Sequence, residues 1–322
     1  MTNSNLAEIA KVINGAESVA VCCHARPDGD AVGSLSALCV ALKNAGKKVY
    51  MLCEDQPPEN LCISPATRLS CQELPVDLKQ LDLFITVDCS DVARLGVFGG
   101  QFVAFKGNTL NIDHHTSNVK FAKYNYVLAD STATCEILPE VLEACGFEIT
   151  EEIANLLAMG LLTDSGNFTH RDVSAKTFSV ASKLKACGAN FCDIGYDMFT
   201  KQTKSRAILY SRVLSGMRFA LDDKLAFITV TQKDLEDTGT DKSDTEGFVD
   251  FALSIDGVEV SVALMEVRKN QYKISLRSKR ANVNAIAVKF GGGGHILASG
   301  CMLNAEYEEV IDRLTHAVYQ QL

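Results

Sequence analysis

Four short stretches carry side chains that an apolar core cannot use. HARPDGDAVGS supplies His24, Asp28 and Asp30, TVDCSD supplies Asp88, NIDHHTSN supplies Asp113, His114, His115 and Asn118, and LLTDSGNF supplies Asp164. Each stretch borders an apolar run, where an unpaired carboxylate or imidazole is costly to bury. A single Asp at a strand end is an ordinary cap or turn former, and a single His is an ordinary hydrogen-bonding residue. Together they read differently, because three of the six histidines fall in these stretches. Carboxylates gathered in one cleft repel and raise each other's pKa, and divalent cations remove that repulsion. His24, Asp28, Asp30, Asp88, His114 and Asp164 offer two imidazoles and four carboxylates. That set suits Mn²⁺, with Mg²⁺ or Co²⁺ also accommodated, and needs no thiolate. Two divalent metal ions about 3.5–4 Å apart would activate water and stabilise a phosphoryl transition state.

A second cluster lies near the C-terminus. The chain is acidic, with net charge −9 and pI near 5.2, which argues against a protein that coats long double-stranded nucleic acid. Yet from Val267 to Ala305 there is no Asp or Glu, while Arg268, Lys269, Lys273, Arg277, Lys279, Arg280 and Lys289 all fall there. Charge alone would allow a solvated basic face. Inside this window lies GGGGH, residues 291–295. A bare glycine run reads as a flexible loop, but glycine also lets a backbone approach a phosphate closely, and successive N–H groups form an anion nest. Gly292, Gly293, Gly294 and His295, with Arg277 and Ser278, are therefore the candidate substrate-binding residues, and Asn118 is a further one, with a turn role as an equal reading.

The elements that must position these groups alternate. Strand patterns at 18–23, 47–53, 82–88 and 109–112 interleave with helical ones at 31–45, 132–146, 150–162 and 174–188, which predicts an α/β fold with a mostly parallel sheet flanked by helices. Ligands collect at the carboxyl ends of such strands, where the polar stretches fall. From 225 onward LAFITVT, VEVSVALMEV and YKISLRS read as strands, the last two as a hairpin. They are followed by a helix at 283–289, a strand at 297–303 and an amphipathic helix at 305–321, a smaller α/β domain. The organisation predicted is a catalytic domain over 1–200, a helical connector over 201–222 and a substrate-binding domain over 223–322.

Composition excludes other classes. Residues 1–17 read as a short helix without the apolar core of a signal peptide, and the longest apolar stretch, IANLLAMGLL, is too short to span a bilayer. A cytoplasmic protein with no membrane partner, monomeric or homodimeric, is the expectation. The twelve cysteines are scattered with no C-x-x-C pair, so they read mostly as small buried hydrophobes.

With these motifs in place, the sequence resembles the DHH phosphoesterase superfamily, named for the Asp-His-His run at 113–115. HARPDGDAVGS, VDCSD, DHHTSN and TDSGNF resemble the four motifs of its first domain in family order. GGGGHILASG resembles the signature of its DHHA1 domain, with Ser299 where the family usually has Ala. The chain is most similar to the branch that degrades very short RNA and also acts on 3′-phosphoadenosine 5′-phosphate (pAp). The resemblance implies that His24, Asp28 and Asp88 hold one metal, and that Asp30, Asp88, His114 and Asp164 hold the other, with Asp88 bridging. It implies His115 facing the scissile phosphate, Asp113 orienting a histidine, and GGGGH gripping the nucleotide's far end, so His115, Asp113 and Asp88 are the candidate catalytic residues. The implied substrate is a short RNA or a nucleotide, held in a cleft between two domains. A phosphodiesterase for cyclic dinucleotides or linear pApA is the alternative, and an inert nucleotide-binding regulator is the third reading.

Overall fold

In the computed structural model, which describes residues 3–68 and 70–322, the chain divides into a unit of Met1–Lys201 and a unit of Gln202–Leu322. The first unit runs α1 (Leu6–Gly15), β1 (Ser18–Cys22), α2 (Gly29–Asn44), β2 (Lys48–Leu52), β3 (Leu83–Val87), α3 (Gly99–Ala104), β4 (Asn108–Asp113), β5 (Tyr124–Val127), α4 (Thr134–Ala144), α5 (Glu151–Asp164), α6 (Ala175–Ala186) and α7 (Phe191–Gly195). Its strands form one parallel sheet in the order β2-β1-β3-β4-β5. Alternation along the strands feeds both faces: Val19, Val21, Ile85 and Val87 enter the core built with α2, α4 and α5, whereas Ala20, Cys22 and Phe84 pack with Phe98, Phe102 and Phe105 on the other face. The strand order reverses at β1, which lies between β2 and β3, so the carboxyl ends of β1 and β3 mark the switch point where α/β sheets bind ligands.

Helix α2 and the stretch Leu156–Leu162 of α5 are apolar nearly all round and buried, as expected of helices inside a core. Two glycines let them approach. A Cβ on Gly33 would lie 2.6 Å from the Leu156 carbonyl oxygen, and one on Gly160 would lie 2.8 Å from Asp30 Oδ1. This close packing brings Asp30, in the first turn of α2, beside Asp164, the last residue of α5.

The second unit holds α8 (Lys204–Ser215), β6 (Arg218–Ala220), β7 (Leu225–Val230), α9 (Gln232–Thr238), α10 (Phe248–Ser254), β8 (Val260–Arg268), β9 (Gln271–Ser278), α11 (Val283–Lys289), β10 (Gly293–Gly294), β11 (Ala298–Asn304) and α12 (Tyr307–Tyr319). Its mixed sheet has the order β10-β11-β9-β8-β7-β6, antiparallel except for β7 with β8. The helix expected as a connector is α8, whose Leu209 and Val213 share a core with Ala226 and Ile228 of β7. The glycine run is not a free loop: Gly293 and Gly294 pair with Gly300 and Ser299, and the turn closes with the His295 N–H donating to the Ala298 carbonyl at 2.8 Å. No helix among the described residues is long and apolar enough to cross a membrane. All twelve cysteines are free and most are buried.

Candidate metal centre

The carboxyl ends of β1, β3 and β4 deliver His24, Asp88 and the Asp113–His115 run to one edge of the first sheet. Three groups of potential ligands form there: His24, Asp28 and Asp88; Asp88, His114 and His115; and Asp30, His114 and Asp164. Asp88 is common to the first two, and its oxygens face different partners. Oδ2 lies 3.5 Å from His24 Nε2, while Oδ1 lies 3.6 Å from His114 Nε2. All six residues expected as ligands are thus brought together.

Each is oriented by a separate contact. His24 Nδ1 is 2.8 Å from the Ala25 carbonyl, and His114 Nδ1 is 3.2 Å from the Ser131 carbonyl. Donation from both Nδ1 atoms leaves both Nε2 atoms aimed at the carboxylates. Asp28 caps α2, with Oδ1 accepting from the Ala31 N–H, and keeps Oδ2 at 3.7 Å from His24. Asp30 is fully buried and accepts from the N–H groups of Thr134 and Cys135 at the start of α4. Asp164 Oδ2 is 3.3 Å from His114 Nε2.

The electrostatics fit a cation. His24 Nε2 is buried without a hydrogen-bond partner, an unusual state for a polar atom. Burial and the neighbouring Asp88 push Asp30 up to about 7, and burial with the Asp30 and Asp88 charges pushes Asp164 up to about 10. Burial opposes charge on His24, but contacts with Asp28 and Asp88 prevail and raise it to about 10. Mutual repulsion and an orphaned imidazole nitrogen are both relieved by divalent ions, and hard oxygen donors with two imidazoles are an apt set for them. Loading is therefore expected to stabilise the fold. Saturation with Mn²⁺ at about a hundred times its Kd contributes ~2.7 kcal/mol per site. The thermal midpoint of EDTA-treated protein should rise by several degrees when Mn²⁺ is returned, and an unmoved midpoint would count against the centre.

His115 borders this cluster, with Nδ1 3.6 Å from Asp88 Oδ1, but is tied more closely to Asp113. Its Nδ1 sits 2.8 Å from Asp113 Oδ1, a contact that raises the imidazole's pKa. Asp113, fully buried, is kept ionised below its usual range: burial opposes this, but hydrogen bonds from His115 and Asn118 outweigh it. Asn118, expected at the substrate, turns inward instead: its amide N–H groups reach Asp113, Asn111 and the Cys89 carbonyl, and its Oδ1 accepts from Lys120. It is a brace for Asp113.

In the second unit Arg277 and Ser278 part company. Alternation puts Lys273, Ser275 and Arg277 on one face of β9 beside a cavity of about 390 Å³, while Ser278 lies on the core face. Ser278 is buried with its hydroxyl donated to the Ala281 carbonyl, so it is not available to a ligand as expected. Arg277 pairs with Asp250 at 3.3 Å. Gly292, Gly293 and Gly294 form the hairpin described, and His295 is exposed at its turn. Residues that sequence reasoning missed are Ser131, which holds His114, and Arg94, six residues beyond Asp88, whose Nη1 is 3.4 Å from His115 Nε2.

A parallel α/β sheet with a His/Asp cluster able to hold metal ions on its carboxyl edge, in a chain that adds a mixed-sheet unit, fits the plan of a phosphoesterase. The chain belongs to the DHH family: the model of the DHH family, N-terminal domain, matches residues 18–161, and the DHHA1 domain matches residues 222–322. It is 31% identical over 320 residues to the bifunctional oligoribonuclease and PAP phosphatase NrnA of Thermus thermophilus, a match covering 98% of this chain and 93% of that one. The protein of the same name from Mycoplasma pneumoniae is 25% identical over 309 residues, covering 94% and 92%. Among solved structures, an exopolyphosphatase-related protein from Bacteroides fragilis superposes with a TM-score of 0.81 at 27% identity, covering 98% of this chain and 95% of that one.

Proposed function

We propose that the chain is a two-metal phosphoesterase that hydrolyses very short oligoribonucleotides to mononucleotides and removes the 3′-phosphate of pAp. The observation that carries this reading is the gathering of His24, Asp28, Asp30, Asp88, His114 and Asp164 around an orphaned His24 Nε2. Likeness to a Thermus protein named as an oligoribonuclease and PAP phosphatase supports the substrate class. His24, Asp28 and Asp88 would hold one ion. Asp30, Asp88, His114 and Asp164 would hold the other, with Mn²⁺ as the ion best suited to the donors. Bound ions supply a nucleophilic hydroxide at neutral pH and neutralise phosphoryl charge. The chain's own part is to hold and to donate. Asp113 fixes His115, whose raised pKa favours the protonated form that can give a proton to the leaving oxygen or stabilise charge. Arg277 and His295 would hold the rest of the nucleotide. The Gly292 N–H, expected to bind substrate, is given to the Ala287 carbonyl at 2.9 Å, and Gly293 and Gly294 serve to build the hairpin that presents His295.

Substrate length follows from charge. The acid-free basic window is confined to residues 267–305 of an acidic chain, and a groove for a long strand needs phosphate contacts along its whole course. Rates are expected to be highest on about two to five nucleotides. The salt dependence should be shallow, corresponding to roughly one to three phosphate contacts, and indifferent to base identity. The test is kcat/KM with Mn²⁺ against RNA length at two salt concentrations, with pAp, pApA, cyclic di-AMP and pyrophosphate alongside. A rate rising beyond about ten nucleotides with a steep salt slope, or hydrolysis confined to cyclic di-AMP and pApA, would overturn this reading.

A further inference from the structure

We propose that Arg94 is the catalytic unit's own phosphate-binding residue, gripping the reacting phosphoryl group beside His115. The inference rests on the phosphoesterase reading but concerns a residue outside its ligand and DHHA1 motifs. Arg94 lies in the 3₁₀ segment Val92–Phe98 that follows Asp88. Its backbone is fixed from both sides. Asp91 Oδ1 accepts from the N–H groups of Ala93 at 2.8 Å and Arg94 at 3.1 Å, and the Arg94 carbonyl accepts from the Ala25 N–H at 2.8 Å, next to His24. The side chain, by contrast, is uncommitted. Among the described residues no carboxylate lies within ion-pairing distance of its guanidinium, and its polar neighbour is His115 Nε2. It lines a cavity of about 580 Å³ shared with His24, Arg26 and Asp28.

A half-buried guanidinium without a counter-ion, on a pinned backbone, is prepared for an anion that arrives from outside. Its planar fork matches phosphate oxygens. His115 Nδ1 is occupied by Asp113, so Nε2 is the atom that faces Arg94 Nη1. Arg94 Nη1 and His115 Nε2 therefore stand side by side at 3.4 Å, so a phosphoryl group drawn to the guanidinium lies against the imidazole, in the manner of a preorganised site. A cation that served only to balance Asp28 would act through metal affinity, and this separates the two roles.

The experiment uses the full-length Mn²⁺-loaded protein, with inorganic phosphate as the probe. Phosphate binding is measured by calorimetry, Mn²⁺ affinity by titration, and kcat/KM on pAp, for the native protein and for Arg94→Ala and Arg94→Lys. Arg94→Ala should weaken phosphate about tenfold and lower kcat/KM about a hundredfold, with Mn²⁺ affinity and thermal midpoint unchanged. Arg94→Lys should recover part of both losses, as a point charge replaces the fork. Phosphate binding equal to native in Arg94→Ala, or a loss that follows Mn²⁺ affinity, would overturn the proposal. A native protein inert on every phosphoester, whose phosphate binding still disappears in Arg94→Ala, would sink the functional reading and leave Arg94 as a phosphate-binding residue without a reaction.

Discussion

Asp88→Asn is expected to lower pAp and short-RNA hydrolysis by roughly three orders of magnitude or more, while the protein stays folded. Asp88 gives one oxygen to the His24 side of the centre and the other to the His114 side, so losing its charge deprives both ion positions at once. Asparagine is the informative replacement because Asp88 sits at φ +51°, a left-handed conformation that Asn tolerates and that costs alanine about 1–2 kcal/mol. Stability should not suffer. The Asp88 charge helps push up Asp30 and Asp164 but also supports His24, so the repulsion relieved offsets the pairing lost and the metal-free variant should melt close to the metal-free native protein. Turnover, calorimetric Mn²⁺ stoichiometry and thermal unfolding read the three effects. Near-normal turnover in Asp88→Asn would remove Asp88 from its shared role.

His115→Ala should lower kcat about 10²- to 10⁴-fold, the usual scale for a lost general acid, with KM little changed. Its proposed contact strengthens only as the leaving oxygen gains charge. Arg277→Ala and His295→Ala should do the reverse, raising KM for nucleotides about tenfold with a smaller effect on kcat, if they hold, as proposed, parts of the substrate that do not react. Steady-state kinetics of the three variants on pAp decide the matter. Equal effects on kcat and KM in all three would contradict this division of labour.

How much of this was readable in advance depends on whether a residue's role is local. His24, Asp88 and the Asp113–His115 run stand at strand ends, and strand ends can be read from apolar periodicity. Their convergence then follows from the parallel sheet. The strand β5, Tyr124–Val127, completes that sheet with only four residues and no pattern long enough to announce it. β10 could not be read because Gly293 and Gly294 have no side chains to alternate, and the helices α9 and α10, at seven residues each, are too short to display a helical period. Ser278 was misjudged where the signal existed: in YKISLRS the buried residues are Tyr272, Ile274, Leu276 and Ser278, and the period of two places Ser278 opposite Arg277. Asn118 bonds mostly to neighbours within seven residues, Asp113, Asn111 and Lys120, whose convergence needs the turn after β4, while Arg94 depends on a tertiary contact. One is drawn inward to Asp113 and the other set free beside His115, and nothing local in DHHTSN or SDVARLG distinguishes a brace from a ligand.

The central claim is that the His/Asp centre works only when loaded with two ions. The most direct measurement is AMP release from pAp by chelator-stripped protein titrated with Mn²⁺, with bound metal counted in the same samples. The account predicts no turnover without metal and a plateau reached as the second equivalent per chain binds. Full turnover by the stripped protein, or a plateau at one equivalent, would contradict it.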